Sequence, residues 1–152
     1  MKAVIQRVTA ASVTVDGEVV GQIGRGLCLL VGIAVDDTPK DVDWLAKKVT
    51  TLRLFEDAET GKAWDKSVKD LDLGILSVSQ FTLYAVTSKG AKPDFHLAAK
   101  SDMSKDMYMG FLEKLGTAHK PERIQDGRFG AMMNVNIQND GPVTILLDSR
   151  SK

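Results

Sequence analysis

A proline stands where an ordinary interior strand would not accept one. Val143-Thr144-Ile145-Leu146-Leu147 has the apolar, β-branched run of a strand, and Pro142 opens it directly behind Asn139-Asp140-Gly141. Proline cannot donate a ladder hydrogen bond, which confines such a run to a sheet edge, a first position or a bulge. Asp140-Gly141 is itself a turn signal. One reading is a tight turn followed by an edge strand, which the residue types alone favour. The other is a cis Gly141-Pro142 bond, a form taken by about 5–6% of X-Pro bonds in folded proteins. A second stretch, Ser79-Gln80-Phe81-Thr82-Leu83-Tyr84, closes another β-rich run and gathers hydroxyls, an amide and aromatics.

The chain has 152 residues, 43% of them hydrophobic, which is the size of one domain with one sizeable core. Basic and acidic residues balance at 20 each, so no strong monopole field points at nucleic acid or membrane. Any RNA contact is therefore expected to be a local grip. The single cysteine, Cys28, lies in Leu27-Cys28-Leu29-Leu30-Val31 and reads as a core residue with no disulfide partner. Met1-Lys2-Ala3-Val4 runs straight into an alternating pattern, and no apolar run reaches the roughly 18 residues of a membrane span, so a cytoplasmic location is expected.

Along the chain, residues 3–23 alternate as strands around Asp16-Gly17, a hairpin turn signature. Residues 27–34 form an unbroken apolar run suited to a strand covered on both faces. Thr38-Pro39-Lys40-Asp41 is a helix start, and Val42, Leu45, Ala46, Val49 and Leu52 recur at helical spacing. Lys47 and Lys48 then fall on a solvated face. Residues 53–55 turn towards a strand, residues 56–72 read as a loop or hairpin excursion around Trp64, and residues 73–84 return to strand. A second helix is predicted over 95–115, packing Met103, Met107, Tyr108, Phe111, Leu112 and Leu115 and ending at Gly116. Residues 124–147 read as strand, turn, last strand. The sum is an α+β single domain, 1–152, with a curved, barrel-like sheet carrying two main helices.

Conventional catalytic sites find little support. Only two histidines occur, His96 and His119, and no serine sits in a GxSxG elbow. His96 reads better as a surface or capping residue than as a general base. One cysteine and unclustered histidines do not suggest a zinc site, and Gly24-Arg25-Gly26 reads as a turn rather than a phosphate loop. No metal and no cofactor are expected. In the strand expected through residue 84, Gln80 and Thr82 share one side, where an amide and a hydroxyl can hydrogen-bond an ester or a ribose. Nothing adjacent offers to take a proton from Thr82, which favours a positioning role over a nucleophilic one.

SQFTLY and NDGPVT together resemble the two signature motifs of the D-aminoacyl-tRNA deacylases (D-tyrosyl-tRNA deacylases), SQFTL and NxGPVT, in order and in spacing. The likeness extends from Val4-Ile5-Gln6-Arg7-Val8 to the final strand. It implies a homodimer and a cis Gly141-Pro142 bond. It also implies hydrolysis of the ester joining a D-amino acid to the terminal adenosine of tRNA, assisted by the substrate's own 2′-hydroxyl. Ser79, Gln80, Phe81 and Thr82 would then form the reaction site, with backbone around Phe81 and Thr82 holding the ester. The carbonyls of Gly141 and Pro142, lent by a second copy, would receive the α-amino group and turn away L side chains. Glycyl-tRNA, which has no side chain to exclude, would also be hydrolysed. Arg7 matches a position that braces the Gly-Pro segment. Phe129, in Gly127-Arg128-Phe129-Gly130, matches an aromatic that would stack on adenine, although packing is an equally open role for it. The partner implied is the acceptor end of an aminoacyl-tRNA, with no membrane and no DNA. Two alternatives stay open: an editing hydrolase for L-alanyl-tRNA, and a non-catalytic dimeric nucleic-acid-binding module.

Overall fold

The computed structural model describes residues 1–152. Its spine is β1 (Lys2–Val15), whose length lets it serve three partners. One edge pairs antiparallel with β2 (Glu18–Ile23) through residues 11–15 and with β3 (Gly26–Gly32) through residues 2–8. Asp16 and Gly17 take φ of 50° and 80° in the expected hairpin turn.

After β3 the chain enters α1 (Pro39–Thr51) and the short β4 (Arg53–Phe55), which pairs with β5 (Lys66–Ser67) as a separate ribbon. Then β6 (Gly74–Ser79) joins β3 in parallel, and a 3₁₀ turn (Phe81–Tyr84) follows. Next come α2 (Ser101–Ala118), β7 (Ile124–Asp126), parallel to β6, and β8 (Asn134–Asp148) on the second edge of β1. The main sheet runs β2-β1-β3-β6-β7 with β8 branching from β1. A Cβ on Gly21 of β2 would lie 2.2 Å from the Asp126 carbonyl of β7, so glycine lets the two ends approach and the sheet curl towards a barrel.

The larger core cluster joins the sheet to both helices through Leu27, Leu29, Leu45, Val49, Tyr108, Phe111 and Leu115, among others. Val42, Leu45, Ala46 and Val49 are buried as the helical spacing predicts, and Lys47 and Lys48 are exposed. Cys28 is buried in a smaller cluster, and burial pushes its thiol up to about 11. No helix is long and apolar enough to cross a membrane.

Three expectations need correction. The strand predicted to run through residue 84 stops at Ser79. The Gln80 N–H makes one last bond to the Val31 carbonyl (2.7 Å), after which the chain folds into the 3₁₀ turn over Gly32. Any Cβ on Gly32 would sit 3.0 Å from both the Gln80 oxygen and Leu83 Cβ. The second helix begins at 101 instead of 95, because the residues before it are tied to the chain leaving β3: Val35 N–H to Leu97 O (3.0 Å) and Ala99 N–H to Ile33 O (2.9 Å). It also runs through Gly116, whose missing side chain makes room for Pro121. Met103, assigned to its core face, is 38% exposed.

The third correction concerns the C-terminal turn. Residues 134–148 form one strand, not two joined by a turn. Asn139 faces Val8 and Thr144 faces Gln6, so residues 140–143 stand opposite Arg7 alone. The Asp140-Gly141 signal marks a bulge within a continuous pairing, and the long partner β1 overrides its hairpin preference.

Candidate active site

The bulge is held from beneath. Asn139 Nδ2 donates to the carbonyls of Val143 (3.0 Å) and Arg7 (3.3 Å), satisfying backbone groups that the interrupted ladder leaves open. Arg7 Nη1 donates to the Leu54 carbonyl at 2.8 Å, and its Nε lies 3.2 Å from Asp140 Oδ2, a charge contact off the line of a hydrogen bond. The Trp64 ring lies 6.0 Å from the guanidinium. Gly141 has φ of +120°, the Gly141-Pro142 bond is cis, and both residues are exposed.

A cavity of about 580 Å³ opens elsewhere. Its first wall is the end of β6 and the 3₁₀ turn, which bring Ser79, Gln80, Phe81 and Thr82 together. Gln80 Nε2 donates to Thr82 Oγ1 at 2.6 Å; the turn, and not strand alternation, makes that contact. A helical turn leaves its first N–H groups, here those of Phe81 and Thr82, without a partner within the turn. The second wall is the start of α2, with Ser101 and Ser104. The third is the loop after β7, with Phe129 and Met133, shaped by Gly130 at φ +76° and by an Arg128 N–H to Met133 Sδ contact of 3.4 Å. Phe81 is 57% exposed at the rim and packs edge-on to Phe95, their centroids 5.1 Å apart.

None of the 16 lining residues carries an ionisable side chain. His96 does not line the cavity; it is exposed and paired with Asp94, whose carboxyl it holds below its ordinary pKa. His119 accounts for itself at the C-cap of α2, where its Nε2 contacts the Leu73 carbonyl at 2.7 Å. Within one chain, then, five of the sequence-derived residues, Ser79, Gln80, Phe81, Thr82 and Phe129, share the cavity, whereas Arg7, Gly141 and Pro142 form a separate constellation. Ser101, Ser104 and Met133 escaped the sequence reading; only their place in a folded helix start and a returning loop marks them.

A second concavity of about 320 Å³ lies between the helices, with Lys47, Lys69 and Lys114. Its threonines 50, 51 and 117 already donate their hydroxyls to helix carbonyls, so they offer an anion no donor.

The fold and cavity define an α+β domain whose pocket presents backbone, amide and hydroxyl groups in place of titratable ones. Residues 4–148 match the family model described as D-Tyr-tRNA(Tyr) deacylase, and the chain belongs to that family. It is 56% identical over 149 residues to "D-aminoacyl-tRNA deacylase 1" of Bos taurus, covering 98% of this chain and 70% of that protein. It is 52% identical over 152 residues to the "D-aminoacyl-tRNA deacylase" of Dictyostelium discoideum, covering all of both chains. A solved structure described as "c-Myc DNA Unwinding Element Binding Protein" superposes with a TM-score of 0.93 at 55% identity, over 97% of this chain and 98% of that one. Another, described as "a probable eukaryotic D-amino acid tRNA deacylase", shares the fold at 17% identity, with a TM-score of 0.84 over 96% of this chain and 97% of that one.

Proposed function

We propose that this protein hydrolyses D-aminoacyl-tRNA, releasing the free D-amino acid and tRNA. The observation that carries this reading is the cavity without an ionisable wall. Such a pocket has no side chain to serve as general base, so the chemistry falls to oriented dipoles and to the substrate. Water attacks the ester carbonyl, the bond to the ribose 3′-oxygen breaks, and that oxygen leaves with a proton, assisted by the neighbouring 2′-hydroxyl. The N–H groups of Phe81 and Thr82 stabilise charge on the carbonyl oxygen. Ser79, Gln80 and Thr82 position the ester and ribose, and Phe129 stacks on the adenine.

Selection between mirror-image substrates is assigned to Gly141 and Pro142 of a second copy, whose carbonyls receive the α-amino group and leave room for a D side chain only. Supporting this, the two residues are exposed on a bulge braced by Arg7, outside the cavity of their own chain. The 15-residue strand β8 also pairs with β1 alone, leaving its second edge free for another chain. Leu146, on that strand, is 75% exposed. Glycyl esters escape exclusion and are hydrolysed too.

Purified protein incubated with D-Tyr-tRNA, L-Tyr-tRNA and Gly-tRNA is expected to release the first and third and spare the second. No release of D-tyrosine would defeat the reading. The DNA-element description of the 55%-identical structure favours one alternative, a nucleic-acid-binding module without hydrolysis. Binding to duplex DNA with every ester left intact would support that alternative.

A further inference from the structure

Phe129 has a neighbour that the reaction does not call for. Tyr108, in the middle of α2, is fully buried, and its ring lies 5.9 Å from that of Phe129 at an interplanar angle of 34°. A phenylalanine would fill the same core space, whereas a buried hydroxyl requires a hydrogen-bond partner. Tyr108 has two: its hydroxyl donates to Asp126 Oδ1 at 2.7 Å and lies 3.0 Å from Ser77 Oγ, which is also buried.

These partners sit where the cavity walls are anchored. Ser77 belongs to β6, two residues before Ser79. Asp126 ends β7 at the departure of the loop that carries Phe129, and the next N–H, of Gly127, donates to the Ser77 carbonyl at 3.2 Å. Tyr108 itself lies one turn beyond Ser104 on α2. One hydroxyl therefore ties together the strand, helix and loop that supply the three walls. Burial lifts the Asp126 carboxyl above its ordinary pKa while the Tyr108 hydroxyl opposes the rise, so removing that donor leaves an under-satisfied group at the root of the loop.

We propose that Tyr108, acting through Asp126 and its ring contact with Phe129, is a positioning residue that sets the wall against which the terminal adenine of the substrate is held. The inference rests on the reading of Phe129 as the adenine-stacking residue. Tyr108→Phe keeps the packing and removes only the hydroxyl. It is expected to raise KM for D-Tyr-tRNA about fivefold to tenfold, the size of a weakened stacking contact, with kcat within about twofold of wild type. Because it acts through Phe129, the same change in a Phe129→Ala background is expected to raise KM no further. Asp126→Asn keeps an acceptor oxygen for the Tyr108 hydroxyl and should leave KM near the wild-type value, whereas Asp126→Ala should behave like Tyr108→Phe.

A merely structural Tyr108 would give a lowered Tm with KM unchanged, or an equal rise in KM in both backgrounds; either result overturns the proposal. If Tyr108→Phe does not fold, Asp126→Ala with and without Phe129→Ala decides the question in the same way. Failure of the wild-type protein to hydrolyse the ester overturns the site reading and the inference with it. Normal hydrolysis with wild-type KM in Tyr108→Phe overturns the inference alone.

Discussion

Gly141 sits at φ +120°, a region that side chains rarely enter, and an added Cβ would meet Val143 Cγ2 at 2.9 Å and Arg7 Nη2 at 3.2 Å. Two independent costs, backbone strain of order 1–3 kcal/mol and the displacement of Arg7, thus fall on one position. Gly141→Ala is expected to cut kcat/KM for D-Tyr-tRNA at least about tenfold while the fold survives, since Gly141 and Pro142 are themselves exposed. Deacylation kinetics alongside a thermal melt check both halves. Thr82 makes the opposite prediction. Its hydroxyl accepts one bond from Gln80 and lies beside no base. Thr82→Ala should therefore cost no more than about tenfold in kcat, as befits one positioning bond of order 1 kcal/mol. Complete loss in a folded variant would point to a covalent route. Arg7 illustrates what sequence could reveal here. The resemblance pointed to it, but its contacts with Leu54 and Asp140 join residues far apart in the chain, and no local pattern contains them.

At the scale of elements, periodicity was a good guide wherever burial is one-sided or complete: α1, the β1–β2 hairpin and β3 lie where their patterns place them. It failed where tertiary partners outrank local preference. The Asp-Gly signal in β8 yields to pairing along β1, and the SQFTLY strand breaks where Gly32 leaves space for a turn. The cavity depends on both kinds of element, which is why its serine, glutamine and threonine were legible and its α2 and loop residues were not. The start of α1 carries a pH prediction. Burial raises the Asp41 pKa, but the Ser149 hydroxyl, the Thr38 N–H, the N-terminal ammonium and Arg150 outweigh it and bring it down to about 2. A carboxylate depressed from 3.8 to about 2 contributes stability that is fully present above about pH 4 and is lost as the pH falls towards 2. Asp41→Asn is therefore expected to lower Tm at neutral pH, with the gap from wild type narrowing between about pH 4 and pH 2. A gap that stays constant across that range would show that the charge of Asp41 is not what fastens α1 to the C-terminal residues.

For the whole molecule, the two constellations lie apart within one chain. A cavity with no ionisable lining has little means of distinguishing hands by charge, and the exposed Gly141-Pro142 bulge of the same chain does not line it. If selection requires both, two chains must share each site, and a two-fold pairing then gives every dimer two composite sites. That arrangement can be tested by complementation. Gly141→Ala disables the bulge and leaves the cavity intact; Phe129→Ala does the reverse. Each variant alone has both of its composite sites impaired. Mixed and allowed to exchange subunits, half the dimers would be heterodimers, each with one wholly wild-type site, so kcat/KM should recover to about a quarter of the wild-type value. Sedimentation or tagged co-purification establishes that exchange has taken place. Exchange without recovery would mean that bulge and cavity serve each other within one chain or not at all, and the shared-site mechanism would fall even if deacylase activity itself stood.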